Sequence, residues 1–269
     1  MLPLVSVIVT TKNEEKNIAN CLKSILKQTY KNIEIIVVDN YSTDKTKEIS
    51  LKYTNQFFEK GPERSTQRNF GVNKAKGEYI LYLDTDMILS KNVIKDCINK
   101  LEDSQLVALY ISEIVIGKSF WCKVRRFERS FYDATVIDCV RFITKKAFME
   151  VKGFDESMFV AEDWDFDKKI RRIGKTDLVK TPIYHNEQNF NLLQYLNKKS
   201  YYINNFDKYI KKWGKEDSDI KKQFGIYYRY LGVFVENGKW KKILVHPILT
   251  FGMFFLRGII GIIYLIKKK

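Results

Sequence analysis

The sequence predicts an α/β protein with a doubly wound, mostly parallel sheet flanked by helices. Apolar, β-branched runs recur through the N-terminal third of the chain, and a polar or amphipathic stretch of helical length separates each run from the next. Parallel strands need a crossover connection, usually a helix, so this alternation is typical of a parallel sheet. With 269 residues, 45% of them hydrophobic, the chain can form one large core and a smaller appendage.

The predicted elements begin with a strand over residues 4–10 and a second over 33–38, joined by an amphipathic helix over 15–27. Both strands are continuous apolar runs, as expected of strands buried on two faces. The next elements are a helix over 45–53, a strand over 55–59, a helix over 65–75, a strand over 78–83 and a helix over 92–102.

The pattern then becomes less regular, and an acceptor-binding half of the domain, about 91–190, is predicted to begin here. Its predicted elements are mixed strands within 106–116, an aromatic and basic segment over 120–132, a short strand over 139–144, a helix from 145, an acidic helix start near 161 and a strand over 177–185. The segment 120–132 suits either an acceptor loop or an amphipathic helix at a membrane surface, and the alternating aromatic and basic residues favour the helix.

The C-terminal third is predicted as a basic helical extension over 191–242 and an apolar, membrane-associating segment over 243–269. Residues 243–266 are nearly all apolar, apart from His246, Pro247 and Arg257. About 20 apolar residues can span a bilayer, whereas the proline and arginine also suit two short helices in the membrane interface, which we favour. A helix in a soluble core is the third alternative.

The formal net charge of +15 favours a polyanionic partner: nucleic acid, anionic lipid or a phosphorylated sugar donor. The four cysteines, which form no C-x-x-C pair, are expected to be reduced, buried thiols rather than zinc ligands. They are Cys21, Cys97, Cys122 and Cys139. The apolar run at residues 2–9 follows no basic leader, so we expect no signal peptide and a catalytic part in the cytoplasm.

Acidic residues follow the predicted strands, where doubly wound sheets bind ligands. Asp84 and Asp86 flank Thr85 directly after a strand, and two carboxylates on one tight turn offer oxygen ligands to Mg²⁺ or Mn²⁺. A short acidic turn without a metal is the alternative. Asp39 also ends a strand, where it could bind a nucleobase or form an ordinary Asx turn. Because residues 42–44 can cap the next helix, we favour binding.

A third acidic group opens the predicted helix near residue 161. It contains Glu162 and Asp163, followed by Asp165 and Asp167. Carboxylates at a helix start can simply complement the helix dipole. A carboxylate in a cleft can instead act as a general base for an attacking hydroxyl.

Four motifs in one order resemble the family 2 glycosyltransferases of GT-A fold. They are V-S-V-I-V-T-T-K-N-E-E, N-I-E-I-I-V-V-D-N-Y-S-T-D-K-T, R-N-x-G with A-K-G-E-Y-I-L-Y-L-D-T-D-M, and G-F-D-E with A-E-D-W-D-F. The resemblance covers residues 4–185 and implies a catalytic domain over about 1–190, with its nucleotide-binding half at 1–90. It also implies an inverting enzyme with a nucleotide-sugar donor and a divalent metal, Mn²⁺ or Mg²⁺.

The resemblance implies roles for individual residues on the donor side. Thr10, Thr11 and Glu14 would line the nucleoside pocket, and Asp39 would contact the base. Arg68 and Asn69 would lie near the ribose or the diphosphate. Asp84 would face the ribose or a metal-bound water, or bind the metal itself.

On the reaction side, the resemblance makes Asp86 a direct metal ligand and Asp163 the general base, with Glu162 helping to place the acceptor. His185 would complete the metal shell or meet the diphosphate; the alternative is an ordinary loop residue. Processive members often carry a Q-x-x-R-W motif after this helix, whereas this chain reads K-K-I-R-R-I-G. We therefore expect single transfer, from a UDP-sugar first and a GDP-sugar second, to a glycan or lipid-linked acceptor at the cytoplasmic membrane face.

Three other functions fit parts of the sequence. A nucleic-acid-binding protein fits the charge but leaves the acidic motifs unexplained, so no nucleic-acid partner is expected. A nucleotidyltransferase would use a similar sheet and metal, but T-T-K-N-E-E lacks the usual glycine-rich loop. A binding protein that has lost catalysis is disfavoured because Asp84, Asp86 and Asp163 are all present.

Overall fold

The computed structural model describes residues 2–102, 105–188, 190–203 and 205–267. Two compact units form: Met1–Glu113 with Cys139–Asn186, and Ile114–Asp138 with Glu187–Lys269. We predicted residues 114–138 to belong to the acceptor half of the catalytic domain. They lie in the second unit, where the helix that they contain packs against the C-terminal apolar helix, and the functional division of the chain stays a prediction.

The first unit is built on a sheet that has eight strands within the described residues, in the order β3-β2-β1-β4-β7-β6-β8-β5. The strands are β1 Val5–Thr11, β2 Ile33–Asp39, β3 Phe57–Glu59, β4 Tyr79–Asp84, β5 Met87–Leu89, β6 Leu106–Ile116, β7 Phe142–Thr144 and β8 Lys175–Asn186.

The sheet has a parallel half and an antiparallel half. Strands β3, β2, β1 and β4 are parallel, which confirms the doubly wound arrangement predicted from the apolar runs. Strand β7 runs antiparallel to both β4 and β6, and β5 runs antiparallel to β8. The carboxyl ends of β1, β2 and β4 therefore lie side by side at one edge.

Helices cover both faces of this sheet. In chain order the helices of the whole chain are α1 Ile18–Leu26, α2 Thr46–Ser50, α3 Arg64–Lys74, α4 Val93–Glu102, α5 Phe120–Arg129, α6 Lys145–Glu150, α7 Glu162–Ile173, α8 Leu192–Ile203, α9 Asp207–Trp213, α10 Ser218–Phe224, α11 Val233–Val235, α12 Trp240–Val245 and α13 Pro247–Lys267. Strand side chains alternate between the faces, so Val7 joins the apolar cluster with α1 and α4, whereas Ile8 joins the cluster with α3 and α7.

The second unit consists of α5 and of the helices from α8 onward. A π-helical turn, Tyr228–Gly232, precedes α11, and a 3₁₀ turn, Glu236–Gly238, precedes α12. The predicted amphipathic segment forms α5, whose N-cap Ser119 accepts a hydrogen bond from the Cys122 backbone N–H. All four cysteines are free and buried, as predicted.

Residues 243–245 of the apolar segment end α12, and the rest of the segment forms one long helix, α13, rather than the two short helices that we favoured. Pro247 occupies the first helical position, where a missing N–H costs nothing, and Arg257 lies within the uninterrupted helix. Among the described residues, Pro247–Ile266 is long and apolar enough to cross a membrane. Only 22% of this stretch is buried, which disfavours a core helix. Lys268 and Lys269, the last residues of the predicted membrane-associating segment, lie outside the described residues.

Candidate active site

The parallel register brings several predicted residues to one edge of the sheet. Thr10 of β1 lies opposite Val38 of β2 on one side and Asp84 of β4 on the other. Thr11 lies opposite Asp39. The strand ends that we predicted to bind the donor are therefore direct neighbours.

Asp39 is fully buried, and its side chain stabilises the turn over residues 39–42. Its carboxylate accepts hydrogen bonds from the Ser42 backbone N–H at 2.7 Å and from the Ser42 hydroxyl at 2.5 Å. This is the local role that the sequence left as the alternative, and the contact with a base stays a prediction. The Thr11 hydroxyl beside it is buried and has no hydrogen-bond partner among the described residues.

The loops after β1 and β2 are joined by hydrogen bonds. The Asn13 N–H donates to the Ser42 hydroxyl at 2.7 Å, and the Glu14 N–H donates to the Thr46 hydroxyl at 2.8 Å. Burial, together with the charges of Asp86 and Asp84, raises the pKa of Glu14 although its hydrogen bond with Asn17 opposes this. Glu14 is thus within electrostatic reach of both strand-end carboxylates.

Arg68 links two of the predicted carboxylates. It lies on α3 and is fully buried. One guanidinium nitrogen donates to Asp84 at 3.0 Å and the other to Asp163 at 2.6 Å. A strand-end carboxylate and a helix-start carboxylate, far apart in sequence, therefore meet on a single side chain.

The surroundings of Arg68 keep this arrangement charged and ordered. Its guanidinium lies 4.7 Å from the ring centre of Tyr82 and 5.0 Å from that of Phe154, so the rings confine it while leaving its charge to the carboxylates. Burial opposes ionisation of Asp84, but the charges of Arg68 and Arg64 outweigh it and hold the pKa of that carboxyl well below its usual range.

Glu162 lies at the start of α7 beside Asp163 and is buried. Its carboxylate is 3.4 Å from a nitrogen of Arg64. Burial and the neighbouring Asp163 charge raise the pKa of Glu162 to about 7. A carboxyl that titrates near neutral pH can both donate and accept a proton under working conditions.

Asp86 contacts His185 rather than Asp84. The Asp86 carboxylate is 2.9 Å from His185 Nε2, and His185 Nδ1 is 2.7 Å from Glu113. Burial opposes protonation of His185, but its hydrogen bonds to Asp86 and Glu113 raise its pKa to about 10. Glu113 is held in turn by Arg141 at 3.5 Å.

These residues fit a divalent cation. The second carboxylate oxygen of Asp86 is buried without a hydrogen-bond partner in the part of the chain that the structure describes. A carboxylate oxygen and an imidazole nitrogen are suitable ligands for Mn²⁺, and metal-bound histidines usually donate their other N–H to a carboxylate, as Glu113 would provide. Asp86 and His185 are hence the candidate ligands. No group of three acidic, histidine or cysteine side chains within the described residues is arranged as a metal shell.

Two predicted residues make contacts other than the expected ones. Asp84, expected near the metal or the ribose, accepts a hydrogen bond from Arg68 at 3.0 Å, and its contact with a metal stays a prediction. Asn69, expected near ribose or diphosphate, bonds the backbone of Phe154 in both directions at 2.9 Å and Glu156 at 2.9 Å. It therefore holds the G-F-D-E loop.

Three side chains of this site were not predicted from the sequence. Arg64 and Glu113 were overlooked, as was Gln67, which donates to the backbone carbonyls of Thr11 and Val38 at 3.0 and 2.7 Å. A buried glutamate in an otherwise apolar strand, as in I-S-E-I-V, was the available signal for Glu113.

Comparison with known proteins places the chain in a family. The model of the family described as Glycosyl transferase family 2 matches residues 6–154. An uncharacterized glycosyltransferase of Rickettsia typhi is 30% identical over 190 residues, covering 64% of this chain and 60% of the relative. The chain thus spans 60% of that relative's length.

Two solved structures share the fold. The mannosyltransferase PcManGT from Pyrobaculum calidifontis, in complex with GDP-Man and Mn²⁺, has a TM-score of 0.65 and 18% identity, covering 99% of this chain and 88% of that one. S. aureus TarS 1-349, in complex with UDP-GlcNAc, has a TM-score of 0.57 and 21% identity, covering 90% and 75%. With a family match over more than half of its residues, the chain belongs to the family 2 glycosyltransferases and has a GT-A-like fold.

Proposed function

We propose that this glycosyltransferase transfers one sugar from a nucleotide-diphosphate sugar to a hydroxyl of a membrane-associated acceptor, with inversion. A UDP-sugar is the favoured donor and a GDP-sugar the second choice. The observation that carries the proposal is the bridge of Arg68 between Asp84 and Asp163. Arg68 thereby links Asp84, at the sheet edge where nucleotides bind in such folds, to Asp163, the carboxylate proposed to activate the acceptor.

On the donor side, Thr10, Thr11, Glu14 and Asp39 are the proposed nucleoside contacts. The unpartnered Thr11 hydroxyl supports this assignment, since a buried donor without a partner is costly unless a ligand satisfies it. Asp39 could bind a base N–H only by sharing or releasing its hydrogen bonds with Ser42. Thr11 is consequently the stronger of the two candidates.

For the transfer, the acceptor oxygen attacks the anomeric carbon from the side opposite the diphosphate. The new C–O bond forms while the bond from that carbon to the β-phosphate oxygen breaks, and the electron pair leaves with the nucleoside diphosphate. The Asp163 carboxylate takes the proton of the acceptor hydroxyl. Arg68 orients Asp163, and Glu162 beside it would position the acceptor.

Asp86 and His185 are the residues that would hold Mn²⁺ or Mg²⁺. A divalent ion there would supply charge neutralisation on the departing diphosphate. Glu113 would fix the orientation of the His185 ring, which leaves Nε2 directed at Asp86.

The acceptor is proposed to lie at a membrane, with the enzyme at the cytoplasmic face. The support is α13, which exposes large apolar side chains at Ile248, Phe251, Ile262 and Leu265. Apolar surface of this extent is uncommon on a soluble monomer. A lipid-linked saccharide or an envelope glycolipid is the acceptor class that fits.

A donor screen tests the proposal. The 269-residue protein in detergent micelles is titrated with UDP-, GDP- and dTDP-sugars with and without Mn²⁺, and hydrolysis of the bound donor is followed. We expect one nucleotide sugar to bind in a metal-dependent manner, with binding lost in Asp86→Ala and retained in Asp177→Ala, an exposed control.

Two outcomes would contradict the proposal. Binding of no nucleotide sugar by folded protein would favour a binding protein without catalysis. Turnover of a nucleoside triphosphate with a sugar 1-phosphate would indicate a nucleotidyltransferase instead.

A further inference from the structure

The second unit contains a buried group of charged residues that the proposed transfer reaction does not use. We call it the basic cluster. Its four basic side chains are Arg125, Lys199, Arg229 and Arg257, and its two carboxylates are Glu128 and Glu187.

The two carboxylates are already fully engaged. Glu128 is 3.0 Å from Arg125 and 3.4 Å from Arg257, and it accepts a hydrogen bond from the Tyr132 hydroxyl at 2.5 Å. Glu187 is bound by two nitrogens of Arg125, at 3.2 and 3.4 Å. Positive charge exceeds negative charge in the basic cluster, so two of the four cations have no carboxylate of their own.

Arg257 has guanidinium nitrogens without a hydrogen-bond partner among the described residues. Its side chain is only 4% exposed, and one terminal nitrogen contacts Glu128 and Tyr132. The other terminal nitrogen and Nε are buried with no hydrogen-bond partner among the residues that the structure describes. Buried guanidinium donors left unsatisfied cost more than neutral ones, which indicates a ligand at this position.

Lys199 and Arg229 form the outer part of the basic cluster. Both are half-buried, and neither makes a salt bridge within the described part of the chain. Burial and then the Arg125 charge lower the pKa of Lys199 to about 7, although Glu128 opposes this. Burial and the Arg257 charge lower the pKa of Arg229. An anion at the basic cluster would relieve this repulsion.

We propose that the basic cluster is a binding site for a phosphate group, held by the unpartnered donors of Arg257 together with Arg229 and Lys199. Arginine matches phosphate oxygens with two parallel hydrogen bonds, and three cationic side chains suit the charge of a phosphate monoester or diphosphate. A carboxylate ligand would leave more of these donors unused.

A lipid is the source of the phosphate that the surroundings favour. Arg257 lies on α13, whose other face exposes Phe251 and Phe255, so an acyl or prenyl chain could run along the helix while its phosphate reaches the basic cluster. A soluble phosphate compound shares the same chemistry and must be distinguished by experiment. The site does not depend on the proposed sugar transfer, since it needs no nucleotide sugar.

The test is calorimetric titration of the 269-residue protein in maltoside micelles, which contain no phosphate. Three probes are compared: phosphatidic acid, inorganic phosphate, and cholesteryl hemisuccinate as an anionic lipid without phosphate. We expect phosphatidic acid to bind best, and Arg257→Gln to weaken it about tenfold or more, as loss of hydrogen bonds from a charged donor implies. Lys241→Gln, which removes an exposed charge from the same unit, is expected to change binding less than about twofold.

Other outcomes decide the source and the site. Inorganic phosphate binding as tightly as phosphatidic acid, with the same loss in Arg257→Gln, would support the phosphate site and assign it to a soluble ligand. Equal binding of hemisuccinate, or equal loss in Lys241→Gln, would overturn the proposal in favour of general surface electrostatics. If Arg257→Gln does not fold, Arg229→Gln replaces it, because Arg229 is half-buried and makes no salt bridge among the described residues.

Discussion

Arg68 combines complete burial with ion pairs to two different elements. Removing one partner of a buried ion pair leaves an uncompensated charge, and here Arg68→Met would leave two carboxylates, Asp84 and Asp163. We expect it to lower the free energy of unfolding by roughly 3–5 kcal/mol, measured by urea denaturation.

The matched control is Lys47→Met, which breaks the exposed ion pair with Glu59 at 2.9 Å and should cost less than about 1 kcal/mol. Equal effects of the two substitutions would show that the Arg68 bridge does not stabilise the fold.

The raised pKa of Glu162 predicts that the difference in unfolding free energy between wild type and a Glu162 variant depends on pH. Its pKa of about 7 lies above the ordinary value of 4.5, so the folded protein binds its proton more tightly than the unfolded chain does. The contribution is complete below the unfolded value and is lost as the pH rises through about 7. From pH 4 to pH 8, wild type should lose up to about 3 kcal/mol relative to Glu162→Gln.

Urea denaturation of both proteins across this range measures the difference. A wild-type-to-variant gap that stays constant with pH would contradict the raised pKa of Glu162. Titrating groups that do not interact with Glu162 contribute equally to both proteins, so their contributions cancel in the comparison.

Glu113 should control metal affinity through His185. Its carboxylate holds His185 Nδ1 at 2.7 Å, and loss of such a partner typically weakens metal binding 10- to 100-fold. Glu113→Gln should therefore weaken Mn²⁺ binding by about that factor, measured from the paramagnetic resonance signal of free Mn²⁺. Glu156→Gln, which makes the same chemical change on the G-F-D-E loop, should leave Mn²⁺ affinity unchanged.

Among the elements, helix α3 packs closely against the sheet at Gly71. A Cβ added at Gly71 would come within 2.4 Å of Ile8 and 3.2 Å of Val38. Gly71→Ala gains up to about 1 kcal/mol of helix propensity but overpacks a core position, at a cost of about 1–3 kcal/mol. Net destabilisation of about 1–2 kcal/mol is expected in urea denaturation.

Asn73→Ala on the same helix is the control. Asn73 is exposed, so this substitution should be neutral or slightly stabilising. Stabilisation by both substitutions would mean that α3 can move away from the sheet without loss.

The parallel half of the sheet could be predicted because each of its longer strands is a continuous apolar run. Strand β5 was not predicted, since Met87–Leu89 is too short to show a periodicity. Yet the pairing of Met87 with His185 in β5 and β8 is what brings Asp86 to that histidine. Long-range pairing of this kind leaves no local signal, so the residues of the site could be named but not their partners.

At the scale of the whole molecule, the units predicted from the sequence are continuous in the chain, whereas the observed units are not. The boundary expected near 190 lies close to Asn186, where the first unit ends. That residues 114–138 lie in the second unit was not predicted. Helices α5 and α13 are separated by more than 100 residues, and contacts over such a distance leave no local signal in the sequence. A close approach of Gly252 to Val124 and Phe120 joins them.

The exposed face of α13 should attach the protein to membranes. Transfer of an aromatic side chain from water is favourable by about 1.5–3 kcal/mol, and a glutamate there adds a further penalty. Phe251→Glu is expected to weaken co-sedimentation with phosphatidylcholine vesicles by roughly tenfold or more. Leu193→Glu, at an equally exposed apolar position on α8, should have little effect, and equal losses would point to non-specific adsorption.

The bridge formed by Arg68 also limits how this enzyme could be redesigned. Asp84 and Asp163 share one guanidinium, so a substitution at either changes the electrostatic environment of the other, and their effects should not add. A new donor preference built at the strand ends would therefore alter the proposed acceptor-activating group as well. Changes confined to the loops, which leave this three-residue bridge intact, are the safer route to a different specificity.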